Sequence, residues 1–341
     1  MMIVMKEGAG PDEVDAVVRQ VESTGATAHV SRGEIHTVVG AIGDREHIAN
    51  LELDGFPGVD HVVPISRPYK LASLQFRKEQ PSVLDIGGRK IGGPHFMTIA
   101  GPCTVEDRET MLEAARIVRD SGAQLLRGGA YKPRTSPYSF SGLGVEGLRL
   151  LQEAKDETGL PITTELMDVR DLEDVLEVAD VIQLGARNMQ NYTLLTEVGR
   201  AGRPVLLKRG LANTLEEFLM SAEYILKEGN ENVILCERGE RTFEPNYRFQ
   251  LDLMAIPVLK EMTHLPIVVD PSHAAGKRSL VPALSYAAAA AGADGIIVEI
   301  HPEPEAAVCD GPQALYAEEF PEYLRKLEQA AALAGKETVR V

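Results

Sequence analysis

Between Leu125 and Gly142 the chain reads LLRGGAYKPRTSPYSFSG. An apolar run ends in Arg127, two glycines follow, and Lys132, Arg134, Thr135 and Ser136 arrive within one short loop. Arginine presents a planar fork of donors, lysine a point charge, and the two hydroxyls complete a cradle without bulk, so the loop is suited to holding phosphate. Arg187 in QLGARN, Lys208 in PVLLKRG and Arg238 in ILCERG repeat the pattern of a cation at or just beyond the end of an apolar run. One phosphate does not need so many cations, and two anionic groups are implied. A second set has different chemistry. Cys103 in AGPC, His273 in VDPSHAAG, Glu299 in VEIHPEP and Asp310 in CDGP supply a thiol, an imidazole and two carboxylates. This mixed set suits a borderline divalent ion such as Mn2+, Fe2+, Co2+ or Zn2+, in a catalytic centre with room for a substrate oxygen rather than a closed structural zinc site.

These cations stand against a formal net charge of −16. An acidic chain repels phosphodiesters, so nucleic acid is not an expected partner, while small anionic metabolites are. No apolar stretch reaches the roughly 18 to 20 residues of a membrane span, and the amino terminus lacks a basic region followed by an apolar core and a cleavage site. The expectation is a cytoplasmic protein with no membrane partner. Three cysteines, Cys103, Cys236 and Cys309, make no disulfide framework and read as reduced thiols or ligands. Cys309, beside Asp310, is expected to approach Cys103 and to join it under oxidation when no metal is bound.

The elements that must position these residues follow from the hydrophobic rhythm. From Phe96 onward, FMTIAG, AQLLRG, PITTEL, VIQLGA, PVLLKR, NVILCE, PIVVDP and GIIVEI recur with room for a helix between each pair. The helices are expected at Arg108 to Arg119, Val145 to Glu157, Val169 to Val178, Asn191 to Val198, Thr214 to Lys227, Asp252 to Glu261 and Val281 to Ala291, with a last one near the carboxyl end. Eight such units predict an α/β fold, a closed (β/α)8 barrel of the TIM type; a doubly wound open sheet is the alternative, without its Gly-rich fingerprint at the first turn. Chemistry in these barrels sits where strands end. The ends hold Cys103, Arg127 with Lys132 and Arg134, Glu165, Arg187, Lys208 with Arg209, Glu237 with Arg238, Asp270 with His273, and Glu299 with His301. The strand starts offer Pro161, Pro204, Pro266 and Gly295. Closure makes the first and eighth strands neighbours, which lets Cys103, His273, Glu299 and Asp310 converge.

Residues 1–65 form a separate pattern. MMIVMKEG reads as a strand, Asp12 to Ser23 as a helix through Val14, Val17, Val18 and Val21, and Ala26 to Val30 as a strand ending in a turn at Ser31 to Gly33. HTVVGAIG, a helix at Arg45 to Leu53 and VDHVVPI complete a ferredoxin-like βαββαβ domain. Residues 66–76 read as a linker, and 77–341 as the catalytic domain, opening with a hairpin in SVLDIGGRKIGG. The small domain is either a structural extension that assists assembly or a sensor of a small molecule. A period of two puts His29 and Ser31 on one face of their strand, where they meet either a phenolic hydroxyl or water.

Taken together, AGPC, LLRGGAYKPRTSPYSF, QLGARN, PVLLKRG, ILCERG, VDPSHAAGKR and VEIHPEP resemble 3-deoxy-D-arabino-heptulosonate 7-phosphate (DAHP) synthase, the entry enzyme of the shikimate pathway. The resemblance spans nearly the whole chain and is to the compact-barrel, type I beta subgroup with an ACT-like amino-terminal regulatory domain. It implies condensation of phosphoenolpyruvate with erythrose 4-phosphate, release of phosphate and a divalent metal held by Cys103, His273, Glu299 and Asp310. It implies phosphoenolpyruvate contacts at Arg127, Lys132, Arg187, Lys208 and Arg238, and erythrose 4-phosphate contacts at Arg134, Thr135 and Ser136. Lys132, His273 and Cys103 are the catalytic candidates; Lys132, His273 and metal-bound water are the proton carriers to weigh, ahead of Glu165. It further implies a homotetramer and feedback by tyrosine or phenylalanine, with His29 and Ser31 as candidate contacts. The rival enzyme, 3-deoxy-octulosonate 8-phosphate synthase, carries an Asn-containing KAN-type loop where this chain has KPRTS, and Pro133 favours the four-carbon sugar. A non-catalytic amino-acid sensor is the rival from another class, disfavoured by the intact ligand and cation sets.

Overall fold

The computed structural model describes every residue except 34–35, 44–47, 49–50, 52, 54, 64–67 and 340–341. The chain divides into two compact units, Met1–Gln80 with Met262–His264, and Pro81–Glu261 with Leu265–Val341. In the first, β1 (Met2–Met5), α1 (Pro11–Glu22), β2 (Thr27–Arg32), β3 (Thr37–Ile42) and β4 (Val59–Val63) build an antiparallel sheet ordered β2-β3-β1-β4. Pro11 at the first helical position and the acidic pair Asp12 and Glu13 start α1, and Val14, Val17 and Val21 form the stripe it buries. That stripe packs with Ile3, Met5, Val39 and Ala41 of the sheet. The helix expected at Arg45 to Leu53 lies largely outside the described residues.

Two details differ from the sequence reading. Strand β2 does not turn at Ser31: Ser31 and Arg32 pair with Val38 and Thr37, so the ladder runs on to Arg32. The first unit also continues through the stretch read as a linker. Tyr69, Leu71 and Phe76 are buried there, Leu74–Arg77 forms a 3-10 turn, Ser73 bridges to Thr263, and His264 Nε2 lies 2.7 Å from the Leu71 carbonyl.

In the second unit, the hairpin β5 (Leu84–Ile86) and β6 (Arg89–Ile91) precedes eight parallel strands: β7 (His95–Gly101), β8 (Leu125–Arg127), β9 (Ile162–Leu166), β10 (Val181–Leu184), β11 (Val205–Lys208), β12 (Val233–Glu237), β13 (Ile267–Val269) and β14 (Gly295–His301). Each pairs with the next, and β14 pairs with β7 from Gly295↔Met97 to Glu299↔Gly101, which closes the barrel. Between strands run α2 (Arg108–Ser121), α3 (Val145–Thr158), α4 (Leu172–Val178), α5 (Tyr192–Ala201), α6 (Leu215–Lys227), α7 (Ala255–Met262), the short α8 (Pro271–Ala275) and α9 (Val281–Ala290). Helix α4 starts later than its apolar pattern suggests because Val169–Asp171 is a 3-10 turn, and α7 starts at Ala255, whose amide is capped by Asp252. The chain ends through β15 (Leu315–Tyr316), α10 (Phe320–Leu333) and β16 (Glu337–Thr338), which adds to β7. Among the described residues, no helix is long and apolar enough to cross a membrane.

The barrel interior explains where the polar residues go. Met97, Ile99, Leu125, Val181, Leu206, Ile234, Val268 and Ile297 pack in one cluster with Leu84, Ile86 and Ile91, so the hairpin stops the barrel floor. Side chains alternate along a strand, so the residues two positions further on share that inward face. They are Gly101, Arg127, Gln183, Lys208, Cys236, Asp270 and Glu299. An apolar layer therefore gives way to a polar one at the strand ends, and the ordering of the sequence becomes a vertical ordering in space. Glycine at 101 is required: its φ is +151°, and a Cβ there would collide with the Arg127 carbonyl.

Candidate active site

The polar layer opens into a cavity of about 290 Å³. Four cations on its wall, Arg127, Lys132, Lys208 and Arg238, are buried, each at most 7% exposed. Three have partners. Lys208 pairs with Asp270. Arg127 Nη1 lies 3.2 Å from Glu299 Oε1, and its Nη2 donates to the Cys103 carbonyl at 3.1 Å. Lys132 Nζ donates to the Cys103 carbonyl and lies within hydrogen-bond distance of Cys103 Sγ, each at 3.0 Å. Burial works to pull the Lys132 ammonium down, but Cys103 and Glu165 outweigh it and hold its pKa above the ordinary value. Arg238 makes no ion pair among the described residues. Its guanidinium lies 4.3 Å from the centre of the Phe249 ring, its Nη1 is buried without a hydrogen-bond partner, and burial depresses its pKa. A buried, unpaired guanidinium is costly unless an anion joins it, so this wall is built for one.

The rim is more open. Arg187 is exposed and its Nη2 reaches Thr135 Oγ1 at 3.5 Å; Arg134 is exposed and its Nη1 lies 2.8 Å from Cys309 Sγ. Thr135 and Ser136 are exposed beside them on a loop held at its base by Lys132 N to Ser141 O, 2.9 Å. Buried cations on one wall and an exposed cation with two hydroxyls at the mouth separate the site into two anion-holding regions.

At the floor, one ligand atom from each of Cys103, His273, Glu299 and Asp310 lies within 4.8 Å of the others. Cys103 Sγ is 3.3 Å from Asp310 Oδ2, and His273 Nε2 is 3.1 Å from Glu299 Oε1. Asp310 reaches the cluster from a left-handed backbone, φ 55°, an uncommon conformation for a residue with a side chain. His273 Nδ1 sits 2.7 Å from Asp270 Oδ2, which assigns the ring proton to Nδ1 and leaves a lone pair on Nε2. That lone pair faces Glu299 Oε1, a buried oxygen with no hydrogen-bond partner. Two acceptors at 3.1 Å repel unless a cation lies between them, so the donor set fits a divalent ion. The charge states agree. Burial depresses the His273 pKa and favours the neutral ring, while Glu299, against its own burial, stays below the ordinary carboxylate range with the Arg127 guanidinium beside it. The neighbouring Cys309 sulfur, burial and Glu299 push the Cys103 thiol up, a direction that a coordinated cation reverses.

Not every strand-end residue joins. Arg209 turns to Glu237, Glu240 and Asp252, and His301 faces Glu106 at 3.4 Å; none of these six lines the cavity. Others enter without a sequence signal. Gln183 donates to Glu165 at 3.3 Å, and Glu165 fits only because residue 185 is glycine, where a Cβ would strike the carboxylate. Arg248 and Phe249 come from the irregular segment between β12 and α7, where no periodicity marks them. Gln313 lies three residues past Asp310 in the same turn, and that proximity was the available cue. In the small unit, His29 and Ser31 share a face of β2, as alternation requires. The His29 ring lies 5.9 Å from Phe76, while Ser31 lines a cavity of about 350 Å³ that also touches His36, Phe76, Arg77 and Lys78.

Comparison with known proteins sets this geometry in context. Residues 76–334 match the DAHP synthetase I family, and residues 1–67 match the DAHP synthase ferredoxin-like domain. A phospho-2-dehydro-3-deoxyheptonate aldolase of Thermotoga maritima is 49% identical over 335 residues, covering 98% of this chain and 99% of that one. A 2-dehydro-3-deoxyphosphooctonate aldolase of Geobacter sulfurreducens is 35% identical over 269 residues, 73% of this chain and 98% of that one. The crystal structure of the Thermotoga maritima phospho-2-dehydro-3-deoxyheptonate aldolase superimposes with a TM-score of 0.78 at 47% identity, covering 99% of this chain and 98% of that one.

Proposed function

The chain belongs to the DAHP synthetase I family and is a DAHP synthase by activity, and on that premise we propose how its residues divide the work and what regulates them. The reaction joins phosphoenolpyruvate, erythrose 4-phosphate and water to give DAHP and inorganic phosphate, the first step of the shikimate pathway. The observation that carries the reading is one cavity with buried cations on its wall, a phosphate-suited loop at its mouth and a Cys, His, Glu, Asp cluster at its floor.

Arg127, Lys132, Lys208 and Arg238, with Arg187 at the rim, hold the phosphate and carboxylate of phosphoenolpyruvate. Arg134, Thr135 and Ser136 hold the phosphate of the tetrose and point its aldehyde inward. Two anions that repel in water are thereby fixed at bonding distance, and such positioning supplies several kcal/mol of the barrier. Carbon three of the enolpyruvate attacks the aldehyde carbon, water adds to carbon two, and the adduct expels phosphate. Cys103, His273, Glu299 and Asp310 would hold a divalent ion, which when bound would supply Lewis acidity toward the aldehyde oxygen. Lys132 stays an ammonium and is the proton donor nearest Cys103; Asp270 holds the His273 proton on Nδ1 and so turns Nε2 to the cluster. Residues 1–65 act as a regulatory domain that takes tyrosine or phenylalanine, with Ser31 and His29 on the binding face, and the enzyme works as a cytoplasmic homotetramer.

The test mixes metal-free protein with phosphoenolpyruvate and erythrose 4-phosphate, restores Mn2+, and follows loss of enolpyruvate absorbance, with arabinose 5-phosphate in parallel. Metal-dependent loss with the tetrose alone is expected. Loss only with the pentose would move the chain to the octulosonate reaction, and equal loss without metal would remove the ion from the proposal.

A further inference from the structure

The two oxygens of Glu299 are treated differently. Oε1 faces His273 Nε2 and Arg127 Nη1 without a hydrogen bond, whereas Oε2 accepts one from Gln313 Nε2 at 2.6 Å. Gln313 is 2% exposed. Its other amide atom, Oε1, accepts from Arg248 Nη1 at 3.0 Å, and the same Nη1 lies 3.5 Å from Asp310 Oδ1. Asp310 and Gln313 belong to one turn, closed by Gln313 N to Asp310 O at 3.1 Å. Both carboxylates of the cluster are therefore touched by a single pair of side chains, Arg248 and Gln313.

The chemistry of that pair admits one arrangement. A guanidinium has only donors and a carboxylate only acceptors, so an amide between them must turn its nitrogen to Glu299 and its oxygen to Arg248. Glutamate at 313 would set a carboxylate against Glu299, and lysine would leave Arg248 without its acceptor. We propose that Gln313 is a positioning residue of the metal centre: its amide occupies Glu299 Oε2, so that Oε1 is the oxygen offered to the ion, and Arg248 fixes the orientation of the amide. Arg248 also lines the substrate cavity, with its guanidinium 5.7 Å from the Phe249 ring that carries Arg238. The path thus starts at the anion wall and ends at the floor. The inference rests on the reading that Cys103, His273, Glu299 and Asp310 hold a divalent ion.

Calorimetric titration of the metal-free full chain with Mn2+, and separately with phosphoenolpyruvate, tests it without reference to turnover. Gln313→Met keeps the length of the side chain and removes the amide. Its Kd for Mn2+ is expected to rise about 10- to 100-fold, the usual effect of losing a partner of a metal ligand, with the Kd for phosphoenolpyruvate within twofold of wild type. Arg248→Met, which leaves the Gln313 amide in place against Glu299, is expected to weaken Mn2+ less than Gln313→Met does. A Gln313→Met protein that binds Mn2+ within threefold of wild type overturns the proposal. So does one that loses both ligands equally, because the residue would then brace the barrel at large. Failure of the wild type to bind Mn2+ is a different outcome and overturns the metal-site reading itself.

Discussion

Asp270 Oδ2 lies 2.7 Å from His273 Nδ1 and also takes the ammonium of Lys208, so one fully buried oxygen serves the floor and the wall of the cavity together. Burial works to raise the pKa of this carboxyl, but His273 and Lys208 outweigh it and hold it well below the ordinary range. Asp270→Ala would strand the Lys208 charge in the interior. Breaking a buried pair from one side costs about 3–5 kcal/mol, whereas removing both partners costs much less. Denaturant unfolding of Asp270→Ala is expected to show that loss, and the double variant with Lys208→Met to recover most of it. A single variant as stable as the wild type would remove Asp270 as the shared anchor.

Arg238 predicts the opposite balance of stability and binding. Its Nη1 is buried and unpartnered, and its neighbour is an aromatic face rather than a carboxylate. Arg238→Met relieves that desolvation, so the thermal midpoint is expected to stay level or rise. Each charge-assisted hydrogen bond it would give an anion is worth about 1.5–3 kcal/mol, so the KM for phosphoenolpyruvate is expected to rise by about tenfold or more. A fall in midpoint with an unchanged KM would mark Arg238 as structural.

The barrel and its chemical end were legible because both are written locally. Apolar runs such as VIQL and GIIVEI recur between amphipathic segments, and the residues that face inward at each strand end follow from a period of two. That rule singles out Arg127, Lys208 and Glu299 by position along the chain. Strand-end position taken alone overreaches at Arg209 and Glu237, which pair with each other, and at His301, which faces Glu106. Alternation explains the first two: Arg209 follows Lys208 and Glu237 follows Cys236, so each lies on the outer face, whereas His301 shares the parity of Glu299 and is taken up by Glu106 instead. Arg248 and Gln313 escaped for another reason. They come from irregular segments, where a side chain's destination depends on long-range closure rather than on spacing. Strand β2 outran its predicted end because the Ser31 and Arg32 pairing belongs to β3, not to the turn chemistry of SRG.

Cys103 Sγ and Cys309 Sγ lie 3.6 Å apart, and both thiols are free. A covalent bond requires them to close by about 1.5 Å, given an S–S length near 2.05 Å. With diamide accepting the two electrons and two protons released, the metal-free protein is expected to lose two of its three titratable thiols. Mn2+ added beforehand should preserve all three by holding Cys103. Cys236, fully buried with its pKa pushed up by that burial, should survive in both conditions. An unchanged thiol count in the metal-free protein would end the idea.

The regulation proposed above puts the effector on the face of β2 that carries His29 and Ser31. The structure separates the two: Ser31 lines the cavity beside Arg77 and Lys78, whereas the His29 ring is set against Phe76 and does not line it. An amino acid bound there would find cations for its carboxylate, a hydroxyl for its phenol and the Phe76 ring for its own. Ser31→Leu fills that space, and the tyrosine or phenylalanine concentration for half-inhibition of the full chain is expected to rise at least tenfold. His29→Ala is expected to shift it less, because it removes packing against Phe76 rather than a wall of the cavity. Absence of inhibition of the wild type by either amino acid would end the sensing reading. Undiminished sensitivity of Ser31→Leu would keep sensing but move it off this face.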